Sequence, residues 1–131
     1  MHAVTDLVAL LRGLSPQLRE GAYVHTIVSE AIPPGAVTVV VVREDEGLTL
    51  VLPQQQADDL GLRYDFVAAW ITLQVHSARS AVGLTAAVSR VLAEAGISAN
   101  VVAGFTHDHL FVPHDRADDA VRTLATLAAT S

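Results

Sequence analysis

The chain has 131 residues, 51% hydrophobic and 17% charged, enough for one compact unit of ordinary size or two very small halves sharing a core. Fourteen acidic residues stand against eight basic ones, all of them Arg, for a net charge of -6. Neither a nucleic acid nor a membrane is therefore an expected partner, because both need a clustered excess of positive charge. The absence of Cys excludes disulfides, thiolate metal sites and Cys nucleophiles, and fits a reducing cytoplasm, the expected location.

No secretory signal is read at Met1-His2-Ala3, since no basic region precedes a long apolar run. The longest uncharged stretches, such as residues 66–78, which is interrupted by Thr72, Gln74, His76 and Ser77, fall short of the roughly 18 apolar residues of a membrane span.

Thr5 is an expected N-cap for a short amphipathic helix carrying Leu7, Leu10, Leu11 and Leu14, ended by Gly13-Leu14-Ser15-Pro16. Three β-branched stretches follow, at residues 23–29, 37–43 and 48–52. Pro33-Pro34-Gly35 separates the first two as a turn, and Glu44-Asp45-Glu46-Gly47 closes a hairpin between the second and third, its charges facing water. Residues 53–60 predict a short helix with Pro53 at its start and Gly61 as its stop.

The second half alternates more clearly. In the stretch 70–76, Ile71, Leu73 and Val75 share one face, and Trp70, Thr72, Gln74 and His76 the other. From Ser80 to Ala95 the apolar residues Leu84, Val88, Val91, Leu92 and Ala95 repeat at helical spacing, with Gly96 as the C-cap signal. Residues 97–105 and 109–112 predict two strands joined by Thr106-His107-Asp108. Asp115 is the expected N-cap of a last helix striped by Ala117, Val121, Leu124 and Ala128.

Strand, helix, strand, strand, helix is the ferredoxin-like βαββαβ order without its last strand. Its helices cover one sheet face, leaving Trp70, Phe111 and His109 on the other, which calls for packing against the first half or a second subunit. Acidic charge concentrates in residues 1–65, with nine acids and four Arg, against five acids and four Arg in 66–131. The near-neutral second half suits a small zwitterionic ligand better than a charged polymer.

Dinucleotide, P-loop, zincin and nucleophile-elbow motifs are all missing. His107-x-His109, with Asp108 and His114 nearby, is the one metal-like cluster. No third ligand stands at a recognisable spacing, so the histidines are read as structural or ligand-facing, with no metal or cofactor expected. The passage from His76 and Ser77 through Ser80 to Gly83, Leu84 and Thr85 leaves a strand and enters a helix, whose free amide groups suit a carboxylate. Asp108 offers a partner for an ammonium group. Together these complement a free amino acid, although each also has a plain structural use as a helix entry or turn cap.

The segments 70–77, 81–88, 95–105 and 107–113, together with Glu44-Asp45-Glu46-Gly47-Leu48-Thr49-Leu50-Val51-Leu52-Pro53, resemble small stand-alone bacterial ACT-domain proteins with two tandem ACT-like units. The resemblance implies an α+β, ferredoxin-like βαββαβ pair, the first copy degenerate, with units at 1–66 and 67–131. It further implies ligand binding at an interface between units, with Ser77, Gly83, Leu84 and Thr85 lining one side and Asp108 at an acidic position shared with eukaryotic amino-acid sensors. The candidate ligand set is completed by His76 before that loop and by Phe105, Thr106, His107 and His109 around Asp108.

A non-catalytic regulatory protein that binds an amino acid and forms a homodimer is the leading expectation. The alternatives are a dimeric assembly module without a ligand and a small enzyme using His107, Asp108 and His109 as acid-base groups.

Overall fold

The computed structural model of the chain describes residues 3–74 and 83–131. Helix α1 (Ala3–Arg12) leads into β1 (Ser15–Leu18) and β2 (Tyr23–Val28), and then β3 (Val40–Glu44), β4 (Gly47–Pro53) and α2 (Gln54–Asp59). The second half follows as β5 (Val67–Gln74), α3 (Leu84–Glu94), β6 (Asn100–Ala103), β7 (Asp108–Pro113), a 3-10 turn at His114–Arg116 and α4 (Ala117–Thr130).

Among the described residues seven strands form one sheet in the order β3-β4-β2-β5-β7-β6, with β1 also on β5 and every pair antiparallel. Strands β1 and β2 lie end to end along one edge of β5: Leu18 stands opposite Ile71, and Tyr23 opposite Ala68. Between these pairs four residues, 19–22, stand against only two on β5, Ala69 and Trp70, so the excess bulges out at residues 19–22. The Arg19 amide, bonded to the Trp70 carbonyl at 2.8 Å, anchors the start of this bulge.

Strand β5 therefore serves both halves. Its first residues close the ferredoxin-like order β3-β4-β2-β5, and its remainder opens β1-β5-β7-β6. The position that sequence alone leaves empty in the second unit is filled by β1 from the start of the chain. The first unit is the degenerate one, because residues 29–39 carry no helix where its first helix would stand.

Alternation assigns the two sheet faces. Ala69, Ile71 and Leu73 of β5 and Leu110 and Val112 of β7 are buried under α1, α3 and α4, with Leu11, Leu14, Val88, Leu92 and Leu124. Val24, Leu48, Leu50 and Leu52 pack on Ala57 of α2. On the opposite face Val51, Ala68 and Phe111 are buried by Tyr23, Trp70, Phe66 and Val102, with no helix layer over them among the described residues. Trp70 stands opposite Phe111 and Thr72 opposite His109, so the expected aromatic face is present.

Local endings follow from a few residues. The β3–β4 hairpin turns through Asp45-Glu46, with Glu44 opposite Gly47. Gly47 has φ 147°, and a Cβ there would collide with the Val28 carbonyl oxygen, so only glycine fits where β2 and β4 meet. Helix α3 ends at Gly96, φ 74°, where the Ile97 amide bonds back to the Leu92 carbonyl at 2.9 Å and the Ile97 side chain is buried.

Several expected boundaries are corrected. Thr5 lies inside α1 rather than at its N-cap. Asp115 falls in the 3-10 turn, so α4 has Arg116 at its N-cap and Asp118 and Asp119 in its first turn, where they favour the positive helix end. Strand β3 begins at Val40, not at 37, and β6 is confined to Asn100–Ala103 because the chain turns at Gly104. Ser80 and the start expected there for the main helix lie outside the described residues.

Candidate functional site

The C-terminal end of β5 and the β6–β7 turn meet side by side. Asp108 stands opposite Leu73 of β5 and Ala103 of β6, and the Gly104 amide bonds to the His107 carbonyl at 2.9 Å, closing the turn. A Cβ on Gly104 would come to 2.7 Å from that carbonyl oxygen, so only glycine fits here without a shift of the turn. His76 and Ser77 lie outside the described residues.

Gly83 occupies the N-cap of α3 with φ 99° and has no side chain to satisfy the first-turn amides. A Cβ there would meet Leu7 Cδ2 at 3.1 Å, so α1 flanks this helix start. Leu84 is buried in the core, which leaves its backbone as the part able to meet a ligand, whereas the neighbouring Thr85 is exposed.

At the turn, Phe105 is 86% exposed and Thr106 is exposed, while His107 and Asp108 are half-buried. The Nδ1 of His107 is buried with no hydrogen-bond partner among the described residues. Strand alternation then separates two neighbours. Asp108 shares the helix-side face with Leu110, whereas His109 shares the open face with Phe111.

His109 is held on that open face by a network that sequence reading missed. Trp70 donates its indole N–H to His109 Nδ1 at 3.1 Å, and Thr72 Oγ1 stands 3.2 Å from the same nitrogen. Arg19 donates Nε–H to Thr72 Oγ1 at 3.0 Å and lays its guanidinium 4.8 Å from the Trp70 ring centre. Accepting from the indole places the neutral ring's proton on Nε2. Burial, then the Arg19 charge and His107, hold the His109 pKa below its ordinary value, against a smaller opposing pull from Asp108. The available signal was the shared parity of Trp70 and Thr72 with His109 and Phe111 on paired strands. Arg19 gave none, because its place depends on the bulge.

No group of three or more His, Asp or Glu is placed to hold a metal ion among the described residues. The described residues place the Asp108 carboxylate next to the last residues of β5 and leave the start of α3 without a side-chain cap.

Comparison with known families finds the ACT domain twice, over residues 2–69 and 66–126. No curated protein matches. Among solved structures, the chain is similar to a Vibrio cholerae protein of unknown function described as a possible transport protein, with 43% identity, 97% of this chain and 99% of that one covered, and a TM-score of 0.88. An Agrobacterium tumefaciens protein is 24% identical, with 88% and 89% covered and a TM-score of 0.69. The regulatory subunit of aspartate kinase from Thermus thermophilus is 9% identical, with 86% and 95% covered and a TM-score of 0.65, a likeness of fold alone.

Proposed function

Because the chain belongs to the ACT-domain family, a family of regulatory and non-catalytic modules, we propose that it binds a free amino acid and acts as a cytoplasmic, homodimeric regulator. The observations that support this reading are the half-buried Asp108 opposite Leu73, one residue before the end of β5, and the Gly83 N-cap of α3, which has no side chain over the first-turn amides. The Asp108 carboxylate takes the ligand ammonium, and the uncapped amides of α3 take its carboxylate. Thr85, Phe105, Thr106 and His107 form the rim, and His76 and Ser77 complete the proposed ligand set. His109, fixed from the opposite face, positions the strand that carries Asp108.

The units at 1–66 and 67–131 are proposed as the two ACT-like copies, supported by family matches that meet at 66–69. Strand β1 ties them, since it belongs to the first by sequence and pairs with the second. The homodimer is supported by the open face around Trp70 and Phe111, which a second copy would cover. A cytoplasmic place agrees with the lack of Cys, and no described helix is long and apolar enough to cross a membrane.

Isothermal titration calorimetry with each common amino acid tests the reading. Saturable heat for one or two of them, lost in Asp108→Ala, is the expected result. Flat titrations for all would put the ligand-free assembly module in its place. Light scattering should give twice 13.8 kDa, and a clean monomer would remove the dimer.

A further inference from the structure

Arg19 and Asp65 flank the centre of the open face from opposite ends. Strands β2 and β5 are antiparallel and pair at Tyr23 and Ala68, so the residues that precede these two leave the pair in opposite directions. Arg19 precedes Tyr23 and lies over the Trp70 ring. Asp65 precedes Ala68 and lines a cleft of about 510 Å³ with His25, Ile27 and Thr49. Alternation puts His25, Ile27, Thr49 and Trp70 on the face that no helix covers among the described residues, with Tyr23, Ala68 and Phe111 between the two ends.

Charge divides between these ends. Arg19 donates Nε–H to Thr72, and its terminal nitrogens have no acceptor among the described residues. At the other end Asp65 forms no ion pair among the described residues. Glu44, bonded by Thr49, joins it there, and together they outweigh the single positive charge of Arg63. The surrounding apolar surface is incompletely covered: Ile27 is 53% and Val42 46% exposed, and Tyr23, Phe66 and Trp70 are half-buried. An aromatic face with one positive and one negative end is complementary to a reversed copy of itself.

We propose that a second copy packs on this face about a two-fold axis that lies between the facing sheets and passes over the Tyr23–Ala68 pair, so that Arg19 of each copy enters the cleft of the other and pairs with Asp65. The inference rests on the homodimer proposed above and gives it one orientation. Facing sheets pack about 10 Å apart, a gap that Arg and Asp side chains reaching in from its two sides can close. The rotation brings the two aromatic centres together and closes each cleft with the other copy's guanidinium, backed by Trp70. A two-fold axis along the line from Arg19 to Asp65 would instead set like ends together, Arg19 against Arg19. An exposed ion pair contributes little alone, so the aromatic patch supplies the affinity and the two charge pairs decide which way round the copies meet.

Sedimentation equilibrium of the whole chain tests it through Arg19→Glu and Asp65→Arg. Each substitution alone turns both cross-copy pairs into like-charge pairs and should weaken the dimer at least about tenfold, with the parent's circular dichroism retained. Mixing the two variants in equal amounts restores opposite charges at both pairs, so the mixture should dimerise about as tightly as the parent. If Arg19→Glu loses its fold, Arg19→Gln replaces it, and its mixture with Asp65→Arg should still be tighter than Asp65→Arg alone. A parent dimer that neither substitution weakens, or weakened variants that mixing does not restore, would overturn this orientation and leave the homodimer standing. A parent that stays monomeric at every concentration would overturn both.

Discussion

The indole of Trp70 donates to Nδ1 of His109, 39 residues further along the chain, at 3.1 Å. This bond crosses from β5 to β7 on the open face, and Thr72 and Arg19 extend it to the bulge between β1 and β2. Removing the donor with Trp70→Phe keeps most of the ring packing against Tyr23 and Phe111 but loses the bond and weakens the Arg19 contact. A loss of about 1 kcal/mol in urea unfolding is expected. An unchanged midpoint would show that the bond is offset by water in the unfolded chain.

Acid should destabilise the protein through its two inward histidines. Burial lowers His25 below its ordinary value of 6.5, against the pull of Asp65, and burial with Arg19 lowers His109 from the same value. Below about pH 6.5 the unfolded chain therefore binds more protons than the folded one, so stability is full above that pH and falls as pH drops toward each folded pKa. His109→Gln, which retains an acceptor for the indole, should flatten the unfolding midpoint between about pH 7 and pH 5. A profile as steep as that of the parent would assign the dependence elsewhere.

Gly47→Ala tests the crowding between β2 and β4. The substitution meets both an unfavourable positive φ and the Val28 carbonyl, so a loss of roughly 2 kcal/mol or more is expected from equilibrium unfolding. The same change at Gly35, where φ is positive but nothing lies within 4 Å of a Cβ, should cost less.

The strand supplied by the start of the chain makes a further stability prediction. A chain beginning at Arg19 loses Leu11 and Leu14 from the main core and bares the edge of β5 from Ile71 to Gln74. Burying two leucines contributes several kcal/mol, at roughly 1.5 to 3 each. The shortened chain should therefore lose cooperative unfolding or aggregate through that edge. A sharp transition near that of the full chain would contradict the role given to β1.

The strongly periodic elements were legible from sequence. Helix α3 declared itself by Leu84, Val88 and Leu92 with Gly96 after them, and β5 by the alternation of Ile71 and Leu73 against Trp70 and Thr72. Strand β1 was hidden because Ser15-Pro16-Gln17-Leu18 has no alternation of its own and is a strand only through the edge of β5. The expected helix caps at Thr5 and Asp115 failed because the chain was already turning helically at both, a competition that single capping residues do not decide. Asp108, expected in the turn between the last two strands, is instead the first residue of β7, opposite Leu73 of β5, because the strand pairing runs one residue further than its own alternation shows. Asp108 and His109 are sequence neighbours, yet the strand period sends them to opposite faces. The partners Trp70, Thr72 and Arg19 come from distant strands, beyond what local spacing reveals.

The most direct test of amino-acid recognition at the Asp108 site is thermal unfolding of the full chain against a panel of free amino acids, with Asp108→Ala as control. A ligand at about 100 times its dissociation constant adds roughly 2.7 kcal/mol, enough to raise the midpoint by several degrees in a chain of this size. The account predicts such a shift for one or two amino acids in the parent and none in the variant. No shift with any amino acid, or equal shifts in parent and variant, would contradict it.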